Sequence, residues 1–182
     1  MNEYFIPVLL GTAREDRQSA KVATFLSKQI ATVSGVRTEL VDVGSMKYTA
    51  TVPPWGKGGA NEVKTDWQRT MKDAHGLLIV VPEYNHGYPG ELKLVLDSLY
   101  DEYAGKPVAL CGVSAGGLGG ARVVEHIKPV LTELHMIIVP NALYVSRVKE
   151  AFDEQGNPTD ATLAERADKL FNELLGYAKK LR

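Results

Sequence analysis

The stretch "HGLLIVV", residues 75–81, leaves neither face of an extended chain for water, and "KPVALCGVS", residues 106–114, repeats the feature. Nearly continuous aliphatic runs of this length mark central strands of a sheet that is covered on both sides. Each run leads through a polar, glycine-containing loop into helical periodicity. "GELKLVLDSLY" (90–100) places Leu92, Val95, Leu96 and Leu99 on one face, and "GLGGARVVEHIKPVLTEL" (117–134) is helical with an expected kink at Pro129. The same alternation holds at both ends of the chain. "YFIPVLLG" (4–11) reads as a strand before a helix over 19–33, carried by Val22, Leu26, Ile30 and Val33. "VRTELVDVG" (36–44) alternates as a strand, with Asp42 out of pattern, and Asn61 to Lys72 reads as a helix. "HMIIVPNALYV" (135–145) reads as a short strand open to a break at Pro140. Residues 158–182 form a closing amphipathic helix with Leu163, Ala167, Leu170, Leu174 and Leu175 inward and Lys179, Lys180 and Arg182 near its carboxyl end.

Five strands alternating with helices predict a doubly wound α/β domain, with right-handed crossovers placing parallel strands in one sheet. Ligands of such sheets bind outside the carboxyl ends of the strands, where strand order reverses. Three loops are therefore expected on one edge: "GTAREDRQS" (11–19), "PEYNHGYPG" (82–90) and "SAGGLGG" (114–120). Residues 44–60, with Pro53, Pro54 and four glycines, read as a long loop of the functional or mobile kind.

Composition narrows what the edge can bind. The formal net charge of −1, with no like-charge block, argues against a nucleic-acid surface or a basic membrane-binding face and favours a small neutral or anionic ligand. The single cysteine, Cys111, has no disulfide partner and sits in an apolar run, so it reads as core, and the four histidines show no zinc-ligand spacing. No basic-then-apolar leader and no apolar stretch of about eighteen residues is present. The chain reads as one soluble, cytoplasmic domain over 1–182, long enough to need no disulfide or structural metal.

In the first loop Thr12, Arg14, Arg17, Gln18 and Ser19 stand with free backbone N–H groups at a helix start, a setting that holds phosphate. The plainer alternative is that Ser19 or Asp16 caps the helix and the arginines are solvated. Neither a P-loop nor the G-x-G-x-x-G fingerprint is present. In the second loop Tyr84, Asn85, His86 and Tyr88 exceed what a connection needs and suit the edge of a planar heteroaromatic ligand; the competing reading has packed tyrosines and a surface His86. The third loop contains "GVSAG" (112–116), a G-x-S-x-G nucleophile elbow. A hydrolase triad needs an acid and then a histidine downstream, yet no histidine follows His135. Ser114, Ala115, Gly116 and Gly117 are better read as small residues that let a flat ligand approach the backbone.

Three runs resemble one family. Gly11-Thr12, Arg14 and Ser19 match "G-[ST]-x-R-x-x-x-x-S"; Pro82-Glu83-Tyr84-Asn85, Pro89-Gly90 and Leu92-Lys93 match "PEYN-x-x-x-PG-x-LK"; Ser114, Gly116, Gly117, Gly119 and Gly120 match "S-x-G-G-x-x-G-G". The chain thereby resembles the NADPH-dependent FMN reductases, flavodoxin-like proteins that include quinone, chromate and azo-dye reductases. The resemblance implies that Thr12, Arg14, Gln18 and Ser19 hold the FMN phosphate, that Pro82, Glu83, Tyr84 and Asn85 run along the isoalloxazine, and that Ser114, Gly116 and Gly117 approach its other edge. It implies NADPH or NADH as co-substrate, a small-molecule electron acceptor (quinone, azo dye, metal ion or free flavin), and a homodimer or homotetramer. Tyr48, Trp55 and Trp67 would then stand near subunit contacts. No protein nucleophile is required, since the cofactor carries the hydride chemistry. Gly87, Glu91 and Leu94 depart from the family pattern, where a serine, a small residue and an asparagine are common. A rival of another class is a non-enzymatic flavodoxin-type electron carrier, against which the near-zero charge argues.

Overall fold

The computed structural model describes residues 3–46 and 62–181. The first extended segment is two short strands, β1 (Tyr4–Phe5) and β2 (Val8–Leu10), separated at Pro7, which has no N–H for the ladder. Pairing keeps one register across the gap: Tyr4 faces Val36 in β3 (Val36–Arg37) and Val8 faces Leu40 in β4 (Leu40–Asp42). Between β2 and β3 runs α1 (Ser19–Ile30), and α2 (Glu62–Asp73) precedes β5 (Leu77–Pro82). Then come α3 (Gly90–Leu96), β6 (Pro107–Val113), α4 (Ala121–Glu133), β7 (Ile137–Val145) and α5 (Leu163–Lys180).

The parallel sheet has the order β4-β2-β5-β6-β7. The first strand thus lies between the second and the third, which is the flavodoxin-like order, and its switch point falls between β2 and β5. Side chains of β5 alternate between two cores: Leu78 and Val80 pack under α1 and α5, whereas Leu77, Ile79 and Val81 pack under α2, α3 and α4. A run buried on both faces is what "HGLLIVV" predicts. Cys111 lies in the first core, fully buried, and burial pushes its thiol up to about 12, so it is inert packing.

Element ends differ from the sequence expectations for local reasons. The helix expected over 90–100 stops at Leu96, where Ser98 Oγ donates to the Val95 carbonyl (2.7 Å) and a 3₁₀ turn follows at Asp101–Tyr103. The one expected from 117 begins at Ala121, because Gly119 and Gly120 are left-handed (φ 61° and 81°). α4 runs through Pro129 as one helix. The closing helix begins at Leu163 rather than 158, after an Asx turn in which Thr162 N–H donates to Asp160 Oδ1 at 2.8 Å. Pro140 does not break β7: Ile138 pairs with Val108 and Ala142 with Leu110, so the edge strand bulges around the proline. Trp67, expected near a subunit contact, is core instead, 1% exposed, with Nε1 donating to Tyr103 Oη at 2.7 Å. Tyr48, Trp55 and most of the 44–60 loop lie outside the described residues.

Candidate functional site

The loops after β2, β5 and β6 meet at the switch point, and the segment after β7 closes the fourth side. Gly11 makes the first loop's close approach possible, since a Cβ there would stand 3.0 Å from Leu92 Cδ2 and 3.3 Å from the Val80 carbonyl. Thr12 is fully buried, its Oγ1 2.9 Å from Tyr84 Oη and accepting from Arg14 N–H at 3.3 Å. The Arg14 guanidinium lies 5.8 Å from the Tyr84 ring centroid, within cation–π range. Tyr84 therefore braces the first loop. Arg17 pairs with Asp42 and donates to the Arg14 carbonyl at 3.2 Å, while Asp42 Oδ1 accepts from Gly44 N–H at 2.8 Å, which explains the acid that is out of pattern at the end of β4.

The start of α1 carries no side-chain cap. Ser19 is 2% exposed and its Oγ has no hydrogen-bond partner, and Gln18 donates to the Asp16 carbonyl at 3.1 Å. Neither Ser19 nor Asp16 caps this helix, contrary to the plainer reading of the first loop. Ala20 and Lys21 N–H donate to the Arg17 and Gln18 carbonyls at 3.2 and 3.1 Å, which leaves the Ser19 N–H and its buried hydroxyl at the uncapped head of a 12-residue helix, a pair that suits an anion accepting from both.

In the second loop Tyr84 and Gly87 exchange backbone hydrogen bonds at 2.9 Å each way, with Asn85 at φ 50° and His86 at φ 69°. Two central residues with positive φ make this a type I′ turn, the kind that matches strand twist. Gly87 carries none of that strain, and a Cβ there meets only the Tyr84 carbonyl at 3.8 Å. Glu83 faces away from the turn: Arg122 Nε donates to its Oε1 at 2.7 Å. Burial pushes the Glu83 carboxyl up, but Arg122 and the N–H groups of Val123 and Arg122 at the start of α4 outweigh it, and the group titrates below its ordinary value.

The glycines of the third loop divide into two pairs. A Cβ on Gly120 would stand 2.6 Å from Val113 N, and one on Gly119 2.8 Å from Tyr144 Cβ, so this pair lets the loop fold back on β6 and β7. Gly116 and Gly117 have nothing within 4 Å of a Cβ, which leaves a small-residue shelf facing open space. Ser114 Oγ donates to the Gly116 carbonyl at 3.0 Å. The described lining of the cleft contains no histidine, and His135 is engaged with Tyr100 (3.1 Å), so the G-x-S-x-G run has no base.

The cleft holds about 370 Å³, the size of a small-molecule site. Of the residues singled out in the sequence, Arg14, Arg17, Gln18, Ser19, Pro82, Glu83, Tyr84, Ser114 and Ala115 line it. Thr12 lies beneath as a brace, and Asn85, Gly116 and Gly117 lie in the flanking turns. The sequence reading considered Asp16 only as a cap and passed over Val148 and Lys149 as lining. Position after the carboxyl end of β7 was the available signal for the last two. Among the described residues no cluster of metal-ligating side chains occurs and no helix is long and apolar enough to cross a membrane.

A sequence model of the NADPH-dependent FMN reductase family matches residues 6–150. A 2-hydroxy-1,4-benzoquinone reductase of Burkholderia sp is 30% identical over 163 residues, 84% of each chain. An NAD(P)H-dependent FMN reductase of Schizosaccharomyces pombe is 33% identical over 140 residues, 74% of this chain and 69% of the relative. In fold, the flavoenzyme NAD(P)H:(acceptor) oxidoreductase of Paracoccus denitrificans superposes with a TM-score of 0.79 at 24% identity, covering 97% of this chain and 98% of the other.

Proposed function

The chain belongs to the NADPH-dependent FMN reductase family, oxidoreductases that use FMN with NAD(P)H, and from that membership we propose that it reduces quinones with FMN held in this cleft. The observation that carries the placement is the buried, unpartnered Ser19 Oγ at the uncapped start of α1, inside the cleft. It is a donor built for an acceptor that the protein itself does not supply.

Ser19, through its hydroxyl and N–H at the head of α1, and Gln18 and Arg14 take the phosphate. Thr12 acts one step back, holding Arg14 N–H and Tyr84 in place. Pro82, Glu83, Tyr84 and Asn85 form one wall for the ring system, Glu83 by fixing the turn on α4 through Arg122. Ser114, Gly116 and Gly117 form the other wall, where the missing glycine side chains would admit a flat ligand close to the backbone. Bound FMN would supply the redox chemistry between NAD(P)H and the acceptor. The quinone as acceptor rests on the named relatives, and the two cores share one sheet, so residues 1–182 act as a single FMN-binding domain.

The test is an anaerobic absorption titration of the full chain with FMN, then NADPH or NADH, then a benzoquinone. Flavin bands that bleach with the nicotinamide and return with the quinone are expected. Bound flavin that stays oxidised with both nicotinamides refutes the reductase, and failure to bind FMN refutes the cleft assignment.

A further inference from the structure

The fourth side of the cleft comes from a segment that none of the family motifs covers. Val148 N–H donates to the Ser114 carbonyl and Arg147 N–H to the Gly116 carbonyl, both at 3.1 Å, so the segment is sewn to the third loop. Val148 is 6% exposed in the α1–α5 core, and the Phe152 ring lies 5.8 Å from Phe25 of α1. The backbone of Lys149 is thereby held between the third loop and α1, and Lys149 lines the same cleft as Ser19 and Gln18.

The charges around the phosphate end are uneven. Arg17 is paired with Asp42, and Asp16 adds a negative charge to the lining. A flavin phosphate carries about −1.5 to −2 at neutral pH. Arg14 stacks on Tyr84, and its exposed guanidinium answers only part of that charge. Lys149 is exposed and makes no ion pair among the described residues, so its ammonium is uncommitted.

Resting on the placement of FMN given above, we infer that Lys149 is a specificity-determining residue: it completes the phosphate site from the β7–α5 segment and selects phosphorylated flavin over riboflavin. A flexible, strongly hydrated point charge suits this role, since it joins the phosphate without a preset geometry. The contribution is electrostatic and screened by salt.

The test compares Lys149→Met and Lys149→Arg with the parent chain in flavin-fluorescence titrations with FMN and riboflavin, at low and high salt. Lys149→Met is expected to weaken FMN about tenfold, leave riboflavin within about twofold, and flatten the salt dependence; Lys149→Arg restores FMN binding. Because Lys149 is exposed, the thermal midpoints of the flavin-free proteins should coincide. Unchanged FMN affinity in Lys149→Met, or an equal loss for FMN and riboflavin, overturns the inference. So does a raised KM for NADPH with FMN binding intact, which would assign the lysine to the nicotinamide substrate. A parent chain that binds FMN no better than riboflavin refutes the phosphate site itself, a separate failure.

Discussion

Replacing Ser19 by alanine should move stability and cofactor affinity in opposite directions. Within the folded chain Ser19 Oγ is buried and no other protein group hydrogen-bonds to it. A buried polar group in that condition costs about 1–3 kcal/mol. Its removal should therefore stabilise the flavin-free fold by about 1 kcal/mol, and alanine at a helical position adds a few tenths more. For a chain of this length that corresponds to a rise in Tm of about 2–4 °C. The flavin-bound state responds the other way. A hydroxyl donating to a charged phosphate contributes about 1.5–3 kcal/mol, so Ser19→Ala should weaken FMN roughly tenfold to a hundredfold. At FMN concentrations near one hundred times the parent Kd, ligand stabilisation of about 2.7 kcal/mol should fall to about 1.4 kcal/mol if affinity drops tenfold, which cancels the flavin-free Tm difference, and to about 0.4 kcal/mol if it drops a hundredfold, which reverses the order of the two Tm values. Calorimetry with and without FMN, beside a fluorescence titration, reads both terms. A flavin-free variant that melts lower than the parent would show that the hydroxyl already has a structural partner, and an unchanged FMN affinity would show that it does not face the phosphate; either result refutes the reasoning.

The two glycine pairs of the third loop should separate cleanly. Gly120→Ala forces a Cβ to 2.6 Å from Val113 N at φ 81° and should cost about 2 kcal/mol or more in denaturant melts, whereas Gly116→Ala should leave flavin-free stability unchanged and weaken FMN. Glu91 Oε1 accepts from Ala13 N–H at 3.0 Å, tying α3 to the first loop. Glu91→Ala should lower FMN affinity severalfold and Glu91→Gln should restore it; equal titrations for parent and alanine variant would remove Glu91 from the site. The carboxyl of Glu83 titrates below its ordinary 4.5, so the folded state binds fewer protons there than the unfolded state. The stabilisation is fully present above the unfolded value and is lost as pH falls through the lower folded value. Melts from pH 7 to pH 3 should show a steeper acid loss in the parent than in Glu83→Gln, and parallel curves would contradict the assignment.

The alternation of strand and helix was legible because it is written in windows of about ten residues. Leu77, Ile79 and Val81 against Leu78 and Val80 declare a strand buried on both faces before any neighbour is known, and the loops around Ser19, Tyr84 and Ser114 follow from where those strands end. The motif residues were legible as types, but their roles were not. Nothing local distinguishes Gly116, open to a ligand, from Gly120, pressed on Val113 N, since the difference lies in a strand that folds against the second alone. Asn85 and His86, not Gly87, take the left-handed positions of the turn, a choice made by the two-residue bridge between Tyr84 and Gly87.

Helix ends at Leu96 and Ala121 were misjudged for the same reason, since periodicity persists past the point where a side-chain hydrogen bond or a close backbone contact stops the helix. The sequence by itself determined that five strands and their helices would form a doubly wound sheet with polar loops at one edge, because burial on two faces can be read from composition and period. Tertiary structure alone decided that β2 lies between β4 and β5, that Asp42 claims Arg17, that Trp67 turns inward and that Lys149 closes the cleft. These are contacts between segments far apart in the chain, chosen by packing and charge that no local window contains.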